Sequence, residues 1–286
     1  LDILVENLEY VYNPGTQLEV RALTDVSFSL PRGLVLGILG GTGSGKTTLM
    51  KNLNGLLSPT NGRVLADGKD IRSLGAGLRR KVGLVFQRPE RQLFEETVFK
   101  DITFVLRRFS GLTEAEILSK AEAACKLAGL DLKEVGERSP LTLSDGQKRK
   151  AAIAGVLVNE PEVLMLDEPA VGLDPPGLAD LTAMVEQLNG NHGRSVIIVS
   201  HDMEPFLGIL DFMLVLNKGK IAAFGSPGEV CETLAGDGGM RPLLPPLALL
   251  VHDMRGAGFP MAKNGYAIPD LAAELARLTA TGGVAR

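Results

Sequence analysis

Apolar and polar residues alternate along residues 1–12 and again along 20–30. This is the period of half-buried strands, with Asn13-Pro14-Gly15 as the turn between them. Leu34-Val35-Leu36-Gly37-Ile38-Leu39 is an unbroken apolar run and predicts a buried strand, and helical spacing continues over 46–57. Residues 64–71 hold another short strand and an Asp67-Gly68 turn. Val82-Gly83-Leu84-Val85-Phe86, Val163-Leu164-Met165-Leu166 and Ser195-Val196-Ile197-Ile198-Val199 are further apolar runs of the kind found in parallel sheets covered on both faces. From Thr97 to about Glu160 the pattern is helical, with Thr113 and Glu116 spaced as a capping box. Residues 212–224 predict a hairpin around Asn217-Lys218-Gly219. Beyond about Ala235 the pattern changes. Gly236-Asp237-Gly238-Gly239 reads as a linker, and proline-rich sequence leads to a short amphipathic helix over 271–278 with Asp270 as its N-cap. The pattern predicts an α/β core over 1–235, with an antiparallel β subregion at its start, a helical subdomain at about 88–160 and a small C-terminal extension at 236–286.

Composition narrows the function classes. The 286 residues are 45% hydrophobic, enough for a large core. A net charge of −4 gives no global basic field for nucleic acid, so no nucleic-acid partner is expected. The local clusters Arg79-Arg80-Lys81 and Lys148-Arg149-Lys150 read as solvated faces. Two distant cysteines, Cys125 and Cys231, fit a reduced compartment better than a disulfide or metal framework. No apolar run approaches the ~20 residues of a membrane helix, and no signal-peptide pattern opens the chain, so any work at a membrane is expected to be peripheral.

Gly40-Gly41-Thr42-Gly43-Ser44-Gly45-Lys46-Thr47 sits between the predicted strand and the predicted helix. Glycines let successive N–H groups curl around an anion, and the helix N-terminus adds its positive end. Lys46 then reaches the β- and γ-phosphates and Thr47 supplies an oxygen to Mg²⁺. The chain is expected to bind a nucleoside triphosphate through this loop and the adjoining Thr48. The loop alone does not separate kinases, GTPases and motor ATPases.

Asp167 and Glu168 end the apolar strand at 163–166. An acid at the end of a strand neighbouring the loop strand holds the Mg²⁺ sphere in such enzymes, the role expected of Asp167. Glu168, one residue further on, is placed to polarise the attacking water as general base. About twenty residues upstream, Leu143-Ser144-Asp145-Gly146-Gln147 precedes a helix, where Ser144 and exposed N–H groups form a second anion site.

That ordered set resembles the ATP-binding-cassette (ABC) ATPases over about residues 1–235. Gln87, after the strand at 82–86, is similar to the family's Q-loop glutamine, and 143–147 to its signature motif. Asp167-Glu168 is similar to the second Walker motif with its catalytic glutamate. Gly172-Leu173-Asp174 resembles the D-loop, Ser200-His201-Asp202 the switch histidine, and Tyr12 the aromatic that stacks on adenine. The resemblance implies a P-loop NTPase core of the ABC type using ATP and Mg²⁺. The nucleotide lies between Tyr12 with the loop 40–48 of one domain and Ser144, Gly146 and Gln147 of a second ATPase domain paired head to tail. It implies that Thr47, Asp167 and Gln87 surround the metal, and that Lys46, Gln87, Glu168 and His201 carry hydrolysis. His192 and His252 read as solvent-exposed.

Residues 86–94 (Phe86, Gln87, Arg88, Pro89, Glu90, Arg91, Gln92, Leu93, Phe94) and 146–155 also resemble the energy-coupling-factor importer ATPases. That likeness implies a motor on the cytoplasmic face of the cell membrane, bound to integral membrane subunits and powering uptake of a vitamin or a cobalt or nickel ion. Residues 236–286 then match that group's C-terminal extension. Leu93 and Phe94 are expected either to receive a helix of the membrane partner or, for Phe94, to anchor the helical insert. Asp145 stands where the signature motif usually has Gly, and is expected to point outward. The alternatives are a soluble ABC ATPase for macromolecular assembly, such as iron–sulfur cluster assembly, and a non-hydrolysing nucleotide switch. About 95 residues between Thr48 and Leu143 leave no room for the long coiled coil of a DNA-repair ATPase.

Overall fold

The structure, a computed structural model, describes residues 1–259, 261 and 268–280. Strands β1 (Ile3–Tyr12) and β2 (Val20–Leu30) pair antiparallel, and β3 (Val35–Leu39) leads through the glycine loop into helix α1 (Lys46–Leu53). β4 (Asn61–Ala66) and β5 (Lys69–Asp70) complete a four-stranded antiparallel sheet in the order β2-β1-β4-β5. Short helices α2 (Ile71–Leu74) and α3 (Ala76–Lys81) precede β6 (Val82–Val85). The helical insert is α4 (Val98–Phe109), α5 (Glu114–Leu127), α6 (Leu132–Val135) and α7 (Asp145–Leu157). β7 (Val163–Asp167), α8 (Pro175–Gly190), β8 (Ser195–Ser200), β9 (Phe212–Asn217) and β10 (Lys220–Gly225) return the chain to the main sheet. Helices α9 (Pro227–Gly236), α10 (Pro246–Gly256) and α11 (Ile268–Ala280) come last.

The main sheet has the order β10-β9-β3-β8-β7-β6, parallel except for the β9–β10 hairpin. Its strands divide their side chains between two cores. Val35 and Leu39, Leu164 and Leu166, and Val196 and Ile198 face the core shared with the helices. Leu36 and Ile38, Val163 and Met165, and Ile197 and Val199 face the core beneath the antiparallel sheet and α1. Burial on both faces is why these strands read as unbroken apolar runs, with each buried Leu, Ile or Val contributing about 1.5–3 kcal/mol.

Three expectations shift. The helix expected over 46–57 ends at Leu53, because Gly55 turns the chain at φ +72 and the Leu56 and Leu57 N–H groups fold back onto the Lys51 carbonyl. The strand carrying Asp167 does not neighbour β3, since β8 lies between them. The register still levels their ends, with Leu39 opposite Ser200 and Val199 opposite Asp167. In the tail, helix α11 begins at Ile268, so Asp270 lies inside its first turn rather than at the N-cap.

The expected linker starts at the last residue of α9, and the segment beyond it packs back onto the core. Leu244, Ala248, Val251, Met261 and Leu271 are buried in the core shared with the helices. Glu204 Oε2, just past His201, accepts the Leu247 N–H at the start of α10 (3.1 Å). His252 is half-buried, its Nδ1 3.3 Å from Glu232 Oε2, rather than solvent-exposed; His192 is exposed as expected.

Candidate nucleotide and catalytic site

The loop between β3 and α1 has the form an anion needs. Gly45, at the start of α1, has φ +107, and a Cβ there would lie 2.8 Å from the Ala22 carbonyl oxygen. Glycine therefore lets the helix start against β2, with its first N–H groups lacking a side-chain cap. Ser44 is buried, and its Oγ has no hydrogen-bond partner among the described residues. Uncapped N–H groups and a buried orphan hydroxyl fit a phosphate. Lys46 Nζ donates to the Gly40 (2.6 Å) and Gly41 (3.1 Å) carbonyls. Burial lowers its pKa from the ordinary lysine value, while Glu168 and Asp167 act in the opposite sense. Thr42, Gly43 and Thr47 are exposed. Thr48 is buried, its Oγ1 3.1 Å from the Tyr12 hydroxyl, and Tyr12 stands edge-on to Tyr10.

Asp167 is buried at the end of β7, and burial, reinforced by the Glu168 charge, pushes its carboxyl up to about 6. Glu168 turns the chain into the left-handed region at φ +48, its N–H donating to the Val199 carbonyl (2.8 Å). Ser200 Oγ accepts the Asp202 N–H (3.1 Å), so its single proton goes to Glu168 Oε2 (3.0 Å). His201 Nδ1 is 2.8 Å from the same oxygen. An ionised carboxylate only accepts, which assigns the proton to Nδ1. The site thus brings together Lys46, Asp167, Glu168 and His201. The Ser200 bond has no signature in the sequence, although Ser200 stands beside His201; nothing in residue type marks a hydroxyl that faces another strand's carboxylate.

Among the described residues, no hydrogen bond joins Gln87, Ser144, Gly146 or Gln147 to this cluster. Gln87 is exposed just beyond β6. Ser144 caps α7 in a reciprocal box with Gln147, and Ser144 and Gly146 are exposed. Asp145 points outward as expected, its side chain 97% exposed and 3.5 Å from Lys148 Nζ. Phe94 is 67% exposed and edge-on to Phe104, so it does not anchor the insert; Leu93 packs against the core in its place. Arg149 is not a solvated charge. Its guanidinium donates to the Pro169 and Val171 carbonyls (3.2 and 2.8 Å). Cys125 and Cys231 are buried, each thiol pushed up to about 12 by burial.

A phosphate loop, a strand-end Asp-Glu pair and a histidine on that glutamate, with a capped second loop on a helical insert, define an ABC-type ATPase. The family model for the ABC transporter matches residues 23–171, and the chain belongs to that family. It is an ABC-transporter ATPase subunit, binding and hydrolysing ATP. Its similarity extends to the energy-coupling factor transporter ATP-binding protein EcfA2 of Clostridium perfringens, 40% identical over 271 residues, 94% of this chain and 95% of the relative. EcfA2 of Caldanaerobacter subterraneus subsp. tengcongensis is 40% identical over 273 residues, 94% of this chain and 95% of that one. Among solved structures, cbiO1 from Clostridium perfringens, part of the ABC transporter complex cbiONQ, superposes with a TM-score of 0.73 at 37% identity, across 88% of this chain and 98% of its own. A dimeric ATP-binding cassette in a post-hydrolysis state with ADP and Pi bound gives 0.71 at 25% identity, across 79% and 98%. Among the described residues, no helix is long and apolar enough to cross a membrane.

The buried Asp167 gives a prediction for the protein without Mg²⁺ or nucleotide. Its carboxyl titrates near 6 in the folded chain against 3.8 when unperturbed. A raised carboxyl costs nothing below the unfolded value and lowers stability as pH rises through the folded one. Asp167→Asn is expected to leave stability unchanged at pH 4 and to raise it at pH 8 by up to about 3 kcal/mol. Urea unfolding at both pH values checks this; an equal effect at pH 4 and pH 8 excludes a titration origin.

Proposed function

We propose that this chain is the ATP-driven motor of an energy-coupling-factor importer, working on the cytoplasmic face of the membrane and powering uptake of a vitamin or a transition-metal ion. The observation that carries the reading is the Glu168 carboxylate, turned out of β7 and held by Ser200 and His201 at the level of the phosphate loop. The 94% coverage by EcfA2 relatives supports the importer class.

Lys46 and the open N–H groups of α1 hold the triphosphate, with Tyr12 against the base. Thr47, Asp167 and Gln87 would hold Mg²⁺, which would neutralise phosphate charge. Glu168 accepts a proton from the attacking water, and His201, its Nδ1–H fixed on Glu168, presents its other nitrogen toward the γ-phosphate. Ser144, Gly146 and Gln147 complete the ATP site of a second ATPase domain, a copy of this chain or a related one. Each nucleotide then bridges two half-cages, and loss of the γ-phosphate weakens the pair.

Phe94, with the core-packed Leu93 beneath it, faces the membrane subunits. Phe94→Asp is expected to lower uptake in proteoliposomes more than about tenfold while basal ATPase stays within about twofold. Equal loss of both would remove Phe94 from the coupling surface. The reading as a whole is tested by detergent extraction of the tagged chain. Copurification with integral membrane proteins, and ATP-dependent uptake of labelled cobalt, nickel or vitamin by that complex, are the expected results. A chain recovered without membrane partners refutes it.

A further inference from the structure

Three basic residues stand in a row on α7, and they go to different places. Lys148 Nζ lies 3.5 Å from Asp145 on its own helix. Lys150 Nζ pairs with Asp180 on α8 at 2.9 Å. Arg149 alone of the three reaches the turn after Glu168, with Nη1 on the Pro169 carbonyl (3.2 Å) and Nη2 on the Val171 carbonyl (2.8 Å). Two forked, charge-assisted bonds fix both the position and the tilt of the backbone they grip.

That backbone needs fixing. Glu168 is in the left-handed region at φ +48, a strained conformation for a residue with a Cβ. The turn continues through Val171 N–H to the Glu168 carbonyl (3.3 Å) and Leu173 N–H to the Ala170 carbonyl (3.1 Å), with Gly172 at φ +76, before Asp174 caps α8. The first of these bonds is long, so the end of the turn nearest Glu168 is the less firmly held by the turn's own hydrogen bonds. On the β7 side the Glu168 N–H is anchored to Val199. Arg149 supplies an anchor on the other side.

We infer that Arg149 is a positioning residue for hydrolysis. It ties the helix capped by Ser144 to the turn that aims Glu168, and so sets the catalytic carboxylate of one ATP site from the helix that faces another nucleotide. The inference rests on the reading of Glu168 as general base and of Ser144 as part of a composite site. A displacement of the Ser144 helix passes through a rigid fork to the turn beside Glu168. A carboxylate misplaced by about 1 Å costs on the order of 100-fold in rate, whereas ATP is gripped by residues Arg149 does not touch.

The test uses the full chain in the complex with which it purifies. Arg149→Gln is expected to lower kcat about 10- to 30-fold, with nucleotide affinity within about twofold and the melting temperature within a few degrees of the parent. Arg149→Lys, able to reach one carbonyl but not both, is expected to fall between them. A kcat within twofold of the parent for Arg149→Gln overturns the inference. So does a parallel loss of affinity, melting temperature and rate in both variants, which would make Arg149 a structural brace. Glu168→Gln, assayed alongside, separates the two levels. If it is inactive while Arg149→Gln turns over normally, only the positioning role falls; if Glu168→Gln itself turns over normally, the general-base reading falls with it.

Discussion

Glu168→Gln is expected to lower ATP turnover on the order of 1,000-fold while leaving ATP binding intact. The substitution keeps the shape of a side chain that is only 12% exposed and can still accept the Ser200 proton. What it removes is the charge and the basic oxygen. A base positioned on water contributes about 100- to 10,000-fold, and a 1,000-fold loss corresponds to about 4 kcal/mol in the barrier. The contacts expected to hold ATP, from Lys46, Ser44 and the start of α1, are untouched. On the composite-site reading proposed above, nucleotide then stays between the two half-cages, and ATP-dependent pairing should persist where the parent separates. Phosphate release measured beside size-exclusion chromatography with ATP and Mg²⁺ reads both effects. Turnover within tenfold of the parent would show that Glu168 is not the base, whatever its hydrogen bonds.

The chemistry of this site was more legible in the sequence than its geometry. The phosphate loop announces itself because only glycine satisfies its backbone, as the φ of +107 at Gly45 shows. The sheet strands at 82–85, 163–167 and 195–200 were legible because both faces are buried, which confines polar residues to their ends. Their order was not. Apolar runs carry no label for which neighbour they pair with, so the insertion of β8 between β3 and β7 is set by the crossovers and the helices they lay on the sheet.

Residues that act through backbone were the least legible. Arg149 reads as one member of a charge run because its partners are carbonyls, which every residue carries. Glu204 is equally silent, its partner being the Leu247 N–H. Phe94 shows the opposite difficulty. Its apolar side chain suits a core and an interface alike, and only its 67% exposure separates them.

Lys46→Ala is expected to weaken ATP binding about 100-fold or more without unfolding the chain. In the structure the ammonium is half-buried over its own loop, donating to the Gly40 and Gly41 carbonyls, with Asp167 and Glu168 near enough to offset the effect of burial on its charge. It is thus the fixed cation of a site that otherwise gathers anions. A charge-assisted bond contributes about 1.5–3 kcal/mol, and at the upper end that is just over 100-fold in affinity. The loss has a second component. Lys46 lowers the pKa of Asp167, so its removal raises that carboxyl further and leaves a smaller ionised fraction to receive Mg²⁺ at neutral pH. Lys46→Arg is not a conservative replacement, because a planar fork does not fit where a compact ammonium lies against two carbonyls of a tight loop. The two components separate by pH. Phosphate binding without metal does not depend on Asp167, whereas the Mg²⁺ component recovers as Asp167 ionises. A fluorescent-nucleotide titration with and without Mg²⁺ at both pH values should therefore show a defect that narrows at high pH only when the metal is present. Unchanged affinity in Lys46→Ala would remove the loop from nucleotide binding, and with it the site on which every other assignment is built.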